Sequence, residues 1–157
     1  MELDVQRHER IMAPLQLAWE EIDSLDLILA KTPQISEFDI VPGGQKARGK
    51  ARLAWGPVKW TSDLAMEITD IQPLHRIAFS IDAPALEVRM DAVVELTPVG
   101  ENETKIEYRG HLDVRHRMAG RMKGLFNEII EDHAHAIVHR AKVKAEQRRL
   151  AQERLLK

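Results

Sequence analysis

Residues 51–68 read ARLAWGPVKWTSDLAMEI, and the reading of this stretch decides the fold. Two of the chain's three tryptophans flank a Gly-Pro pair here. From Lys46 to Trp55 the residues alternate: Ala47, Gly49, Ala51, Leu53 and Trp55 fall on one side, Lys46, Arg48, Lys50 and Arg52 on the other. Period two marks a half-buried strand with a cationic outer face. The next run repeats the pattern, with Trp60, Leu64, Met66 and Ile68 inward and Asp63, Glu67 and Thr69 outward. Pairing Trp55 with Trp60 sets Leu53 against Ser62, Ala51 against Leu64, Gly49 against Met66 and Ala47 against Ile68, so inward positions meet inward positions. Gly56 and Pro57 are turn residues, and Pro57 has no N–H for a central ladder. The segment GPVK is therefore expected to be a tight turn, with the tryptophans as cross-strand neighbours on the apolar face.

The same alternation continues downstream. His75 to Asp82 places Ile77, Phe79 and Ile81 inward; Leu86 to Leu96 places Leu86, Val88, Met90, Ala92, Val94 and Leu96 inward; Lys105 to Val114 places Ile106, Tyr108, Gly110, Leu112 and Val114 inward. The connectors DAPA and PVGENE carry turn chemistry. Five consecutive strands thus form an antiparallel meander, and two more are expected at Leu3–Ile11 and Ile35–Val41. Leu15 to Ala30 reads as two short helices interrupted at DSLD and ended by Pro33. At the other end Met118, Met122, Leu125, Ile129, His133, Ile137 and Ala141 recur at steps of three and four, one stripe of a long helix. A strand-rich middle with helices at both ends is an α+β domain.

Composition agrees with one soluble globular domain. The chain has 157 residues, 44% hydrophobic and 31% charged, which excludes a disordered segment. No apolar run approaches the roughly 18 residues of a membrane span, and the N-terminus lacks a signal-peptide layout. There is no cysteine, hence no disulfide, thiol nucleophile or thiolate metal site. A cytoplasmic location is the simplest expectation. Charge is unevenly spread: His139 to Lys157 holds seven Lys/Arg against two Asp/Glu, while the remainder holds 16 basic and 23 acidic residues. An acidic body therefore ends in a basic segment.

A sheet with one apolar face against one helix encloses either a solid core or a pocket. Gly110, opposite Ala92, leaves volume there, as do the small residues at 47, 49 and 51. Met66, Met90, Met118 and Met122 adapt to irregular shapes, and Trp55, Trp60, Phe79, Tyr108 and Phe126 supply large walls. If Ile11 points inward, Arg7 and Glu9 share its face. They are then rim residues in water, or polar anchors for a ligand inside a pocket, since an unpaired buried charge is costly.

The layout resembles a known family. A strand, then IMAPLQLAW with Ala13-Pro14 and Trp19, two short helices, six antiparallel strands and a long C-terminal helix resemble the helix-grip fold of the START-like, or SRPBCC, superfamily, which includes polyketide cyclase-like proteins and lipid-transfer domains. WGPVKW followed by MEITDIQPLHRIAFSI looks most like the G-subunit family of carbon monoxide dehydrogenase, where a Gly-Pro-Val-Lys turn precedes a strand and an Asp-Pro-type loop. The resemblance covers about residues 1–145, with 146–157 as a basic extension of the last helix. It implies a seven-stranded curved antiparallel sheet wrapped around that helix, and an apolar cavity between them that takes lipids, quinones, sterols or polyketides. Some members are enzymes, but no catalytic motif carries over by position. Trp60 stands where the pattern of the carbon monoxide dehydrogenase family has a small residue.

Other chemistry finds little support. Glu131, His135 and His139 share one helix face beside Asp132, and two imidazoles at i and i+4 can chelate an ion; that face lies opposite the apolar stripe, so no metal site is expected. His133 falls on the apolar stripe, either as a hydrogen-bonded core histidine or as a cavity acid–base group alongside Glu9 or Tyr108. His111 and His116 read as surface. No nucleophile elbow and no Gly-rich phosphate loop is present, and no cofactor is expected. The cationic strand face lacks outward stacking aromatics, so nucleic acid is not an expected partner. The basic tail, if not simply solvated, suits peripheral contact with an anionic membrane. The expected function is binding or transport of a hydrophobic small molecule, with a cyclase or dehydratase acting in the same cavity as the alternative.

Overall fold

The computed structural model describes residues 1–30 and 34–156, without the side chains of Ser36 and Trp55. The elements run β1 (Glu2–Ile11), α1 (Leu15–Trp19), α2 (Leu25–Ala30), β2 (Ile35–Ile40), β3 (Lys46–Trp55), β4 (Val58–Gln72), β5 (Arg76–Ala83), β6 (Val88–Gly100), β7 (Glu103–Val114) and α3 (Lys123–Leu155). The seven strands form one antiparallel sheet in the order β1-β7-β6-β5-β4-β3-β2. Strands β3 to β7 are the expected meander, and β1 and β2 close its two edges. The two short helices occupy the crossover from one edge to the other. The segment around Pro33, expected to end the second helix, lies outside the described residues.

Alternation places the core. In β7 every second residue from Thr104 to Val114 is buried, and in β1 Leu3, Val5 and Ile11 are buried on one face. Helix α3, about 50 Å long at 1.5 Å per residue, lies across this face and packs on β1, β7 and α1. Its buried stripe is Phe126, Ile130, His133, Ala134, Ile137, Val138, Ala141 and Ala145. The change from large to small residues along the stripe lets the distal half approach β1 and α1 closely. This is the helix-grip architecture that the sequence resembles.

Three expectations change in detail. Trp55 pairs with Val58, not Trp60, and Trp60 pairs with Leu53. The connection is the two-residue turn Gly56-Pro57, with Gly56 at φ +59°. Glycine at the first central position followed by a residue with negative φ suits a type II′ turn, whose twist matches the flanking strands better than a four-residue loop. The inward set is unchanged, because a register shift of this kind conserves parity. Second, Leu86 is buried but belongs to a 3₁₀ turn over Pro84–Leu86, closed by Glu87 at φ +51°; β6 starts only at Val88. Third, Met118 and Met122 precede α3, which begins at Lys123 with Met122 as its N-cap. Gly120 stands between these two methionines, ahead of the helix, and glycine costs a helix roughly 1 kcal/mol relative to alanine.

Candidate functional site

A cavity of about 80 Å³ lies between the concave face of the sheet and the first half of α3. Ala51, Leu53 and Leu64 form one wall, Ile81, Met90 and Leu112 the floor, and Phe126, Ile129 and His133 of α3 the roof. Gln34, Ile35, Ala83, Leu86 and Val88 complete the lining, and the cavity is partly open. Alternation along β3 to β7 sends aliphatic side chains there, and the small residue Ala51 keeps the space open. The volume is below the roughly 300–1,000 Å³ of ordinary ligand pockets. Broader depressions of about 340–850 Å³ lie elsewhere, over outward charged positions such as Arg48, Glu67 and Arg89. These are open surface grooves, and they lack the apolar enclosure of the smaller site.

His133 is the polar residue of the roof. It is 1% exposed, and its Nδ1 lies 2.7 Å from the Tyr108 hydroxyl. Phe79 and Tyr108 meet the imidazole edge-on, with centroids 5.9 and 5.6 Å away. Burial pushes the His133 pKa down to about 4, so the ring is neutral at pH 7. Burial also raises the Tyr108 pKa well above the ordinary phenol range, so the hydroxyl keeps its proton. We assign that proton as donated to Nδ1. The opposite arrangement, with Nδ1–H donating, leaves the Tyr108 O–H without an acceptor and Nε2 as a bare acceptor; the assigned one leaves a single unmet group. That group is Nε2–H, buried without a hydrogen-bond partner. Gln34 Oε1 is likewise buried without a partner, and it belongs to another residue of the same lining.

Gly110 explains how Tyr108 reaches His133. A Cβ at Gly110 would stand 2.9 Å from Tyr108 Cε1 and 3.1 Å from both its hydroxyl and Val5 Cγ1. The Tyr108 ring leans along its own strand over the bare glycine. The volume expected at Gly110 for a ligand is therefore filled by protein, which is a correction to the sequence reading. The expected pairing of Ala92 with Gly110 and of Val94 with Tyr108 is present.

Of the residues named from sequence, Met90, Phe126 and His133 line the cavity. Met66, Phe79 and Tyr108 are buried in the core beside it, as is Met122. Met118 and Trp60 are half-buried and packed against that core, and the Trp55 side chain lies outside the described residues. Arg7 and Glu9 do share the inward face of β1, but opposite Tyr108 and Ile106 at a sheet edge. Both are half-exposed there and neither reaches the lining. The rim reading applies: β1 is the edge strand, and water remains accessible beside it. Gln34 and Ile35 are additions to the residues expected at the site. They sit in a turn and at a strand start, where no periodicity marks a side chain as inward.

His135 and His139 stack with centroids 5.1 Å apart on the exposed face of α3; among the described residues no group of three His, Asp or Glu side chains is placed to hold a metal. The basic segment is partly engaged on the protein itself. Arg148 binds Glu20 and Glu21, Arg149 donates to the Met12 carbonyl, and Lys142 donates to the Arg10 carbonyl and to Glu146. Glu146 in turn accepts from the Met12 amide at 3.2 Å. These contacts clamp the distal half of α3 onto the β1–α1 junction. Among the described residues no helix is long and apolar enough to cross a membrane.

No protein-family model matches the chain, and no curated protein matches it. Solved structures do. The Zhui aromatase/cyclase from Streptomyces sp. R1128 superposes with a TM-score of 0.71 at 14% identity, over 94% of this chain and 96% of that one. A conserved protein from Geobacillus kaustophilus gives 0.68 at 19% identity, over 88% and 95%. The di-domain aromatase/cyclase BexL of the BE-7585A biosynthetic pathway gives 0.65 at 19% identity; the match covers 92% of this chain and 50% of that one. At these identities the likeness concerns the fold: the chain has the helix-grip fold, in which the Zhui aromatase/cyclase is also built.

Proposed function

We propose that this protein binds a hydrophobic small molecule between the sheet and α3, as a carrier or sensor. The observation that carries the reading is the partly open apolar cavity at the concave face of the sheet, in a fold shared with proteins named as aromatase/cyclases. Each buried ligand methylene contributes roughly 0.8 kcal/mol, so an apolar ligand needs few polar contacts. At about 80 Å³ the cavity admits only a small group as it stands. Larger cargo such as a lipid or polyketide requires outward movement of the lining at Gln34–Ile35 and Leu86, which stands on turns and a strand start instead of mid-strand.

The cyclase or dehydratase alternative draws on the same fold likeness and on His133 in the cavity roof. Its acid–base residues are less well supported. A histidine whose pKa lies near 4 is a weak base and is unprotonated at neutral pH, and Glu9 is outside the lining. Membrane contact through the basic helix end draws on fewer cations than the sequence offers, because Lys142, Arg148 and Arg149 have internal partners.

Native mass spectrometry of freshly purified protein, with solvent extraction of whatever it carries, tests the binding reading. A defined apolar adduct, or saturable uptake of an environment-sensitive apolar dye displaced by apolar compounds, is the expected result. A clean apo mass together with no dye uptake overturns it.

A further inference from the structure

We infer that the free edge of β1 is a self-pairing surface, on which a second copy of this chain adds its own β1 antiparallel to form a two-fold dimer. The surface is separate from the cavity, since no residue of β1 belongs to the cavity lining. The ladder with β7 fixes which backbone groups are free. Met1 and Val114 exchange both of their N–H···O bonds, and the register runs from Glu2↔Asp113 to Ile11↔Thr104 without a shift. Such pairs alternate along an antiparallel ladder. Leu3, Val5, Arg7, Glu9 and Ile11 are therefore bonded to β7, while the N–H and C=O of Glu2, Asp4, Gln6, His8 and Arg10 point away from the sheet.

One end of this edge is capped. The Arg10 carbonyl accepts from Lys142, and one step on Met12 donates its N–H to Glu146 and accepts at its carbonyl from Arg149. Among the described residues nothing bonds the outward backbone groups of Glu2, Asp4, Gln6 and His8, and all four side chains are exposed. Buried backbone groups find partners, so this stretch stands unpaired in water. The opposite edge is protected. Strand β2 has six residues and a register shift between Ile35 and Glu37, and shortness and a bulge both discourage edge pairing. Strand β1 has ten residues and no shift.

The open stretch is complementary to itself. Its acids, Glu2 and Asp4, come first, and Arg7 and His8 come last. With a two-fold axis at Val5, Glu2 faces His8 of the second copy and Asp4 faces Gln6, so the outward backbone groups meet each other. On the other face Val5 meets Val5, and Leu3 meets the aliphatic stem of Arg7. Parallel pairing in register sets each carboxylate against its like, which is destabilising. Pairing β1 on β1 also closes at two copies, whereas β1 on β2 would continue as a filament.

Analytical ultracentrifugation of the full chain from micromolar to millimolar concentration, with amide hydrogen exchange at both ends of that range, tests the inference. The expected result is a dimer in which the amides of Glu2, Asp4, Gln6 and His8 are protected. On dilution to monomer these four become fast, while Leu3, Val5 and Arg7 stay slow. Gln6→Pro removes an outward N–H and leaves the β7 ladder intact, the place where an edge strand tolerates proline. It should raise the dimer dissociation constant roughly tenfold to hundredfold, because a hydrogen bond is lost from each copy. His8→Glu sets carboxylates against each other across the axis and should weaken the dimer, and adding Glu2→Lys should restore it. That charge swap carries the test if Gln6→Pro does not fold. A monomer up to millimolar concentration, a dimer whose four edge amides exchange freely, or a weakened His8→Glu dimer that Glu2→Lys fails to restore overturns the inference. So does a dimer untouched by a folded Gln6→Pro.

Discussion

Tyr108 on β7 and His133 on α3, 25 residues apart in sequence, meet in the core through a 2.7 Å hydrogen bond between the hydroxyl and Nδ1. The bond ties the middle of the sheet to the roof of the cavity and fixes which imidazole nitrogen remains unpaired. It exists because Gly110 lets the tyrosine ring lie along its own strand.

Tyr108→Phe removes the hydroxyl and leaves both imidazole nitrogens buried without partners. We expect a loss of about 1–3 kcal/mol, the cost of an unsatisfied buried group. Urea denaturation checks it through a lower midpoint at an unchanged slope. The tautomer preference of His133 should weaken in the same variant, which ring ¹⁵N shifts report.

The pH dependence of stability has a definite sign. The folded-state pKa of His133 is near 4, against an ordinary value of 6.5. Between these values the unfolded chain binds a proton that the folded one does not. The contribution of His133 to stability is thus fully present above about pH 6.5, falls as pH drops towards 4 and is level below that. The total loss is on the order of 3 kcal/mol. His111 shifts the other way: its hydrogen bond to Asp4 raises the pKa. Its contribution is present below the unfolded value and is lost as pH rises through the folded one, and solvent exposure keeps it small. Histidine NMR titration separates the two. His133 should stay neutral down to about pH 4, while His111 titrates above the ordinary range.

Gly110→Ala and Ala51→Leu should behave oppositely. At Gly110 a methyl group meets Tyr108 Cε1 at 2.9 Å in a packed core, and overpacking costs typically 1–3 kcal/mol. At Ala51 the added atoms enter the cavity, so stability should hold or rise while uptake of the apolar dye disappears. Thermal denaturation with the dye-uptake assay checks both. A binding-competent Ala51→Leu protein would place the ligand elsewhere.

Arg148→Ala should loosen the end of α3 without unfolding the domain. Arg148 pairs with Glu20 and Glu21 at 3.2 Å, but its side chain is 40% exposed, and such pairs contribute roughly 0–1 kcal/mol. Amide hydrogen exchange should therefore accelerate over the last turns of α3 and leave β7 unchanged. Uniform acceleration would mean that the clamp supports the whole domain.

Period-two alternation makes the sheet, its buried face and the pairing of β6 with β7 legible from the chain alone, because strand parity assigns a face without knowledge of partners. The same parity is blind to a register shift of two, which is why the tryptophans of the β3–β4 hairpin are not direct partners. The stripe along α3 likewise marks His133 as inward from helical spacing alone. The half-exposed state of Arg7 and Glu9 is not legible, because alternation gives a face, and only strand order shows that this face reaches a sheet edge.

The sequence by itself determined the architecture: seven alternating strands and one striped helix have few other ways to bury their apolar sides. Tertiary structure alone decided the site. A side chain's partner depends on distances across elements far apart in the chain, so Gly110 proves to be the berth of Tyr108 instead of ligand space. The same three-dimensional packing brings Gln34 and His133, from opposite ends of the fold, into one lining with an unpaired atom each.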